Sequence, residues 1–578
     1  MKLKRVFSLV LALALLSSCC LVFFACTSNG ARSGAVYNEN WTPTKKQAMV
    51  LIPGLMASSF YNLDEESFGE ELWGVKGFIN LVENYYTPGL EKIIAEFNAK
   101  YPNEDYTLYP EYFEAKSKVL QNIMDVVLSC DENGIPNKTV GISNMSSSEK
   151  FAAFNGMKYI YEMLFTRYSN QYDIVVWQYD WRGSVDAASG ELARFIDNCG
   201  YEKVQFFTHS LGSVVVANWL QNKDHRNMTE LFVPFGGPFL GSMDAVTNLF
   251  SDITKSGMIA QIMDLVGVTA DIKSVTTTMP SVYQLMPFSQ LYGSAGYEEV
   301  TPIQIDGQNA TFEEFYDKLI TLDSAKKENN EVKPFIEDLK DYQNRYFVKA
   351  KLNGETGKYI EDENGEYVHV TWLVPTEYVV GVGYSTGKSA NLIFNDDLKT
   401  ADLQSMTADL TEFDATGSIY DKYIDTVVTC AMTAGEDQSI TNASKYYDRL
   451  YHGAGDGTVY AYSASAGMRL DAENVHLVYG IPHGPLANNS YGGDFAPDEL
   501  SGLAYLNGIM KKHVEKTDLQ IANTIPPAGT VGVLLPQKES AGDLAGRIVS
   551  FVILGALAVG VIAYVVTKAL KDGKFARK

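Results

Sequence analysis

The stretch Phe206–Leu220, FFTHSLGSVVVANWL, runs from a hydrophobic segment of strand character directly into an apolar segment of helical spacing, with one serine, Ser210, at the junction. Few junctions constrain a fold so tightly. A strand that turns at once into a helix brings the two elements close together. Small side chains are therefore needed two positions either side of the apex. Gly212 meets that need. Thr208 stands where glycine is usual, and a threonine can end a strand. Such a turn lifts the serine Oγ out of the sheet, where a base can take its proton; unaided, a serine hydroxyl is a poor nucleophile. The junction predicts a sheet covered by helices, with Ser210 as its nucleophile.

The rest of the chain alternates in the same way, which predicts a mostly parallel α/β sheet. Strands are expected over Ala48–Gly54, Tyr172–Arg182, Lys203–Thr208, Glu230–Pro238 and Val475–Pro482, with helical spacing over Glu191–Cys199 and Val214–Gln221. Two regions break the rhythm. Residues 60–150 are rich in tyrosine and read as an insertion after the first strand. Residues 243–375 read as a cap domain whose last third is β-rich, with Asn353-Gly354 and Asn364-Gly365 as hairpin signals. The core then comprises 40–242 and 376–515.

The two ends are expected to lie outside this fold. The basic start MKLKR and the apolar VFSLVLALALL make residues 1–26 a secretory signal. LSSC, ending at Cys19, resembles a bacterial lipobox, so signal-peptidase cleavage and N-terminal lipidation are both open. Ile548–Thr567 is an uncharged run of the about 20 residues that a membrane helix requires. Residues 568–578 form a basic tail, which places the C-terminus in the cytoplasm and the bulk of the chain outside. Residues 516–546 read as a flexible tether. LLPQK at Leu534 lacks the Thr-Gly of a sortase signal. The net charge of −23 excludes the basic footprint of a nucleic-acid binder and argues against general adhesion to anionic lipid. Cys130, Cys199 and Cys430, the three cysteines beyond the signal, are too scattered for a disulfide framework or a metal cluster.

A serine nucleophile on this fold needs an acid and then a histidine downstream. Asp456, in the Gly-rich GAGDGTV, is the candidate acid, although Asp-Gly is also common turn chemistry. Three of the seven histidines follow it. His476 lies within a strand-like run and His513 on an exposed-looking helix. His483, in GIPHGPL, sits just past a strand end, where sites in α/β sheets form. The oxyanion needs two backbone N–H donors. Leu211 supplies one. Leu55, and after it Met56, in LIPGLMASS, are candidates for the other, although Pro53-Gly54 also serves simply to end a strand. GVGYSTGKS (Gly381–Ser389) lacks the first glycine of a phosphate loop, because Val382 holds that place; no nucleotide partner is expected.

Five segments in one order resemble the lecithin:cholesterol acyltransferase family: LIPGLMASS, YDWR (Tyr179–Arg182), THSLG, FGGPFLGS (Phe235–Ser242) and GDGTV (Gly455–Val459). The likeness runs from about residue 49 to 490 and is sparse over 243–375. It implies an α/β-hydrolase fold with a membrane-facing insertion and a cap. It also implies a lipase, phospholipase or O-acyltransferase acting on lipid acyl esters, with water or an alcohol as acyl acceptor and no metal or cofactor. The catalytic roles fall on Ser210, Asp456 and His483. Asp180 and Arg182 read as a structural ion pair at a strand end, with a catalytic role as the alternative. The family's lid cysteine pair has no counterpart here. A serine esterase or peptidase of the same fold, and a non-catalytic surface protein on a hydrolase scaffold, are the alternatives.

Overall fold

The computed structural model describes residues 35–36, 43–64, 69–142, 157–250, 271–322, 332–395, 400–403, 450–487 and 502–516, less a few single or paired positions within them. The proposed signal, tether, apolar run 548–567 and basic tail lie outside the described residues, as does Cys430. Among the described residues, no helix is long and apolar enough to cross a membrane.

Seven strands form the central sheet: β1 (Ala35–Val36), β2 (Gln47–Ile52), β3 (Asp173–Val176), β4 (Lys203–His209), β5 (Thr229–Phe235), β6 (Tyr378–Val382) and β7 (Val475–Tyr479). Their order across the sheet is β1-β3-β2-β4-β5-β6-β7, and every pairing is parallel. A parallel sheet is covered on both faces, so its strands read as continuous apolar runs. Side chains still alternate between the faces. Ala48, Val50, Ile52 and Phe206 enter one hydrophobic cluster, whereas Met49, Leu51 and Phe207 enter another.

Helices cover both faces. The second cluster is closed by Ile160 and Leu164 of α1 (Lys158–Tyr168) and by Leu506, Ile509 and Met510 of α5 (Gly502–His513). The first is closed by α2 (Val185–Cys199), α3 (Leu211–Trp219) and α4 (Met243–Phe250). Helix α2 begins where the Ser184 hydroxyl accepts from Ala187 N–H and ends at Gly200, whose φ of 63° continues no helix.

Three expectations change. The strand predicted over Tyr172–Arg182 stops at Val176. Beyond it the chain leaves the sheet, and Arg182 is fully buried, donating to the carbonyls of Val127 and Val140 at 2.6 Å each and to Asp180. Arg182 thus ties the insertion to the core. The insertion itself is a small sheet (Phe60–Asn62, Glu71–Trp73, Val140–Gly141) with helices Thr87–Lys100 and Pro110–Leu128.

The region expected as a separate cap shares the larger core, since Val246, Val275, Met286 and Phe315 belong to the cluster that holds Val50. A second sheet crosses the expected boundary at 375/376. It joins Ile303–Ile305 and Gln308–Asn309 to Tyr384–Asn395, Thr400–Leu403 and Leu450–Gly455. Lys388 of the phosphate-loop decoy lies within one of its strands.

The first Asn-Gly step closes a hairpin between Phe347–Leu352 and Tyr359–Glu361. The second does not. Glu366–His369 pairs with Phe347–Leu352 as well, and the chain around Gly365 lies against the Ala350 backbone, leaving no room there for a side chain.

Candidate active site

Ser210 sits between β4 and α3 with φ 52° and ψ −128°, a conformation that costs a non-glycine residue about 1–3 kcal/mol and persists only where its surroundings impose it. They do. Its N–H donates to the Phe235 carbonyl at 3.0 Å, and its carbonyl accepts from Ser213 at 2.8 Å. Gly212 is required, because a Cβ there would lie 2.4 Å from the Pro53 carbonyl oxygen. Thr208 is accommodated by a hydroxyl pair: its Oγ1 lies 2.7 Å from Ser213 Oγ, both fully buried. The small facing residue leaves space for threonine where glycine is usual.

The strand Leu450–Gly455 of the second sheet delivers Asp456, which is buried. Its Oδ1 accepts from the amides of Thr458 (3.0 Å) and Val459 (2.8 Å), and its Oδ2 lies 2.7 Å from His483 Nδ1. His483 follows β7 in a loop whose N–H donates to the Asp456 carbonyl at 2.9 Å. Its Nε2 lies 2.8 Å from Ser210 Oγ. Serine, imidazole and carboxylate thus form one chain of hydrogen bonds, drawn from three distant segments. Burial lowers the His483 pKa, but the charge and hydrogen bond of Asp456, with help from Asp244, outweigh it and raise the pKa above its ordinary value.

His476 is elsewhere. It is fully buried in β7, with Nε2 2.8 Å from Glu377. The same carboxylate holds Lys512 Nζ at 2.9 Å and pairs with His513. His476 and His513, the other two histidines after Asp456, therefore meet on Glu377.

The loop carrying Leu55 and Met56 lies against Ser210, for a Cβ on Gly54 would come 2.8 Å from Ser210 Cβ. Met56 has φ 63°, and its carbonyl accepts from the indole of Trp73 at 2.8 Å. Tyr179 donates to Pro53 O at 3.1 Å and Trp181 to Ser58 O at 3.4 Å. YDWR is therefore a brace: two of its residues hold this loop, while Asp180 pairs with Arg182 at 2.6 Å. Among the described residues, no acceptor takes the amide N–H of Leu55, Met56 or Leu211.

Two neighbours of the site were not expected from the sequence. His209 is buried beside His483, with ring centroids 4.7 Å apart. Its place next to Ser210 was the available signal. Asp244, on α4, is coupled to His483 and Asp456; burial above all, with the Asp456 charge, pushes its pKa up to about 7. No motif marks it.

The family model described as lecithin:cholesterol acyltransferase matches residues 148–450, a span that holds Ser210 but ends before Asp456 and His483. No curated protein matches the chain. Among solved structures, the crystal structure of the Tle4-Tli4 complex aligns over 81% of this chain and 99% of that one, at 12% identity and a TM-score of 0.36. That likeness is too loose to bear on function.

Proposed function

The chain belongs to the lecithin:cholesterol acyltransferase family, and from that premise we propose that it cleaves lipid acyl esters through an acyl-enzyme on Ser210. The observation that carries this reading is the unbroken run Ser210–His483–Asp456, with a strained serine at its head. His483 takes the Ser210 proton as Oγ attacks the ester carbonyl. The new oxyanion faces the amides of Leu211 and of Leu55 or Met56. Collapse expels the alcohol, which receives its proton from His483. Water or an alcohol then attacks the acyl group with His483 as base again, giving hydrolysis or transfer. Asp456 orients the imidazole and stabilises its charge.

The central test is incubation of the purified chain with mixed phospholipid and sterol vesicles, with products read by mass spectrometry. Free fatty acid or a new acyl ester is expected; intact lipids with a folded protein would overturn the reading. A serine-directed phosphonate should label Ser210 and spare Ser213. We further propose that the site works outside the cell, tethered through residues 548–567. Export of a reporter fused after Lys578 would contradict that topology.

A further inference from the structure

Residues 209 and 210 both touch residue 483, but at opposite ends. Ser210 Oγ meets the tip of the His483 ring, whereas His209 Nε2 lies 2.9 Å from the His483 main-chain oxygen. A carbonyl oxygen only accepts, so His209 carries its proton on Nε2. We propose that His209 is a positioning residue: its Nε2–H, donated to the His483 carbonyl, fixes the base relative to the serine beside it. This rests on the reading of His483 as the base.

The other bonds to the His483 main chain do not come from the nucleophile's strand. Its N–H donates to the Asp456 carbonyl at 2.9 Å, and its carbonyl also accepts from Leu486, in its own turn, at 3.2 Å. The ring is held by Asp456 as well. Without His209, base and acid remain joined to one another while their joint position over Ser210 loosens. Misplacement of this kind leaves substrate binding intact and slows the chemical step. The imidazole is wedged on its other side too, since its Nδ1 lies 3.0 Å from where a Cβ on Gly54 would sit.

The device requires a neutral His209. Burial, with the adjacent His483 charge, pushes its pKa down to about 3, against smaller opposing effects of the His483 carbonyl and Asp456. No second imidazolium then stands beside His483 when it takes the serine proton. The other ionisable groups facing this pair are Asp456 and Asp244.

Glutamine places a donor near the Nε2 position, and leucine fills the space without one. With the full chain and a soluble ester, His209→Leu should lower kcat at least about tenfold at unchanged KM, while His209→Gln recovers most of the loss, both melting close to the wild type. In selectively ¹⁵N-histidine-labelled wild type, His209 should keep the Nε2–H tautomer between pH 5 and 8 while His483 titrates. Wild-type kcat in His209→Leu, an equal loss in a folded His209→Gln, or an Nδ1–H tautomer each overturns the inference. If leucine prevents folding, the glutamine variant and the tautomer still decide. A wild type that neither turns over ester nor takes the phosphonate on Ser210 would instead overturn the reading beneath it.

Discussion

Two histidines on and after the same strand each face a buried carboxylate at nearly the same distance: His476 on Glu377 at 2.8 Å and His483 on Asp456 at 2.7 Å. The pairings look alike, and their surroundings do not. Glu377 is shared by His476, Lys512 and His513, so it clamps the end of α5 to the sheet. Asp456 is held by two backbone amides and serves one histidine, whose other nitrogen faces a hydroxyl. A carboxylate partner therefore does not make a histidine a base. What distinguishes His483 is its second ring nitrogen, which faces the Ser210 hydroxyl at 2.8 Å.

The comparison breaks most visibly at Ser210 and His483. Ser210→Ala or His483→Gln should reduce ester turnover on the order of 10⁴-fold or more, with melting curves near the wild type. A folded His483→Gln protein with near-wild-type turnover would falsify the assignment of the base. The pH dependence sharpens the same contrast. His483 must be neutral to accept a proton, and its pKa is raised, so kcat/KM should fall as pH drops through a limb above the ordinary ~6.5. Asp456→Asn should move that limb down.

Glu377 behaves in the opposite sense. Burial works to raise its pKa, but bonds from His476 and His513, the His476 charge and the Lys512 bond outweigh it, so the pKa is depressed. Its contribution to stability is present above the ordinary glutamate value of ~4.3 and is lost as pH falls through the folded-state value. Glu377→Gln should cost about 3 kcal/mol at pH 7, a difference that shrinks in acid, with kcat within about threefold of wild type. His476→Gln should cost about 1–2 kcal/mol and again spare turnover. Equal melting of Glu377→Gln and wild type across pH would show that this cluster is not a clamp. Thr208→Ala should have the smallest effect, about 1 kcal/mol, from stranding the Ser213 hydroxyl. A loss several times larger would mean that the hydroxyl pair shapes the turn itself.

The sequence made much of this readable where the chemistry is local. The turn around Ser210 declares itself because Gly212 and two apolar runs lie within a few residues of it. The parallel strands were legible because they are buried on both faces and so run apolar without interruption. Order along the chain and strand ends single out Asp456 and His483, and the structure brings their side chains within 2.7 Å of each other. What escaped depended on contacts between distant segments. Nothing near Trp73 announces that its indole holds Met56, and nothing near Arg182 announces the carbonyls of Val127 and Val140. The strand expected through YDWR ends at Val176, and the partners of its arginine lie in the insertion. Only its place beside the serine marks His209, because its partner lies 274 residues away.

That separation also sets a clock. Ser210 follows a central strand, β4, whereas His483 follows β7, which joins the sheet last in sequence and at its edge. Closing so long a loop is slow compared with forming a local turn, and chains build from the N-terminus. The nucleophile's turn can therefore be made long before there is anything to activate it. A chain still being synthesised, or one cut short before residue 475, carries a serine with no base. On the reading proposed above, reactivity toward lipid arrives only when the edge strand docks.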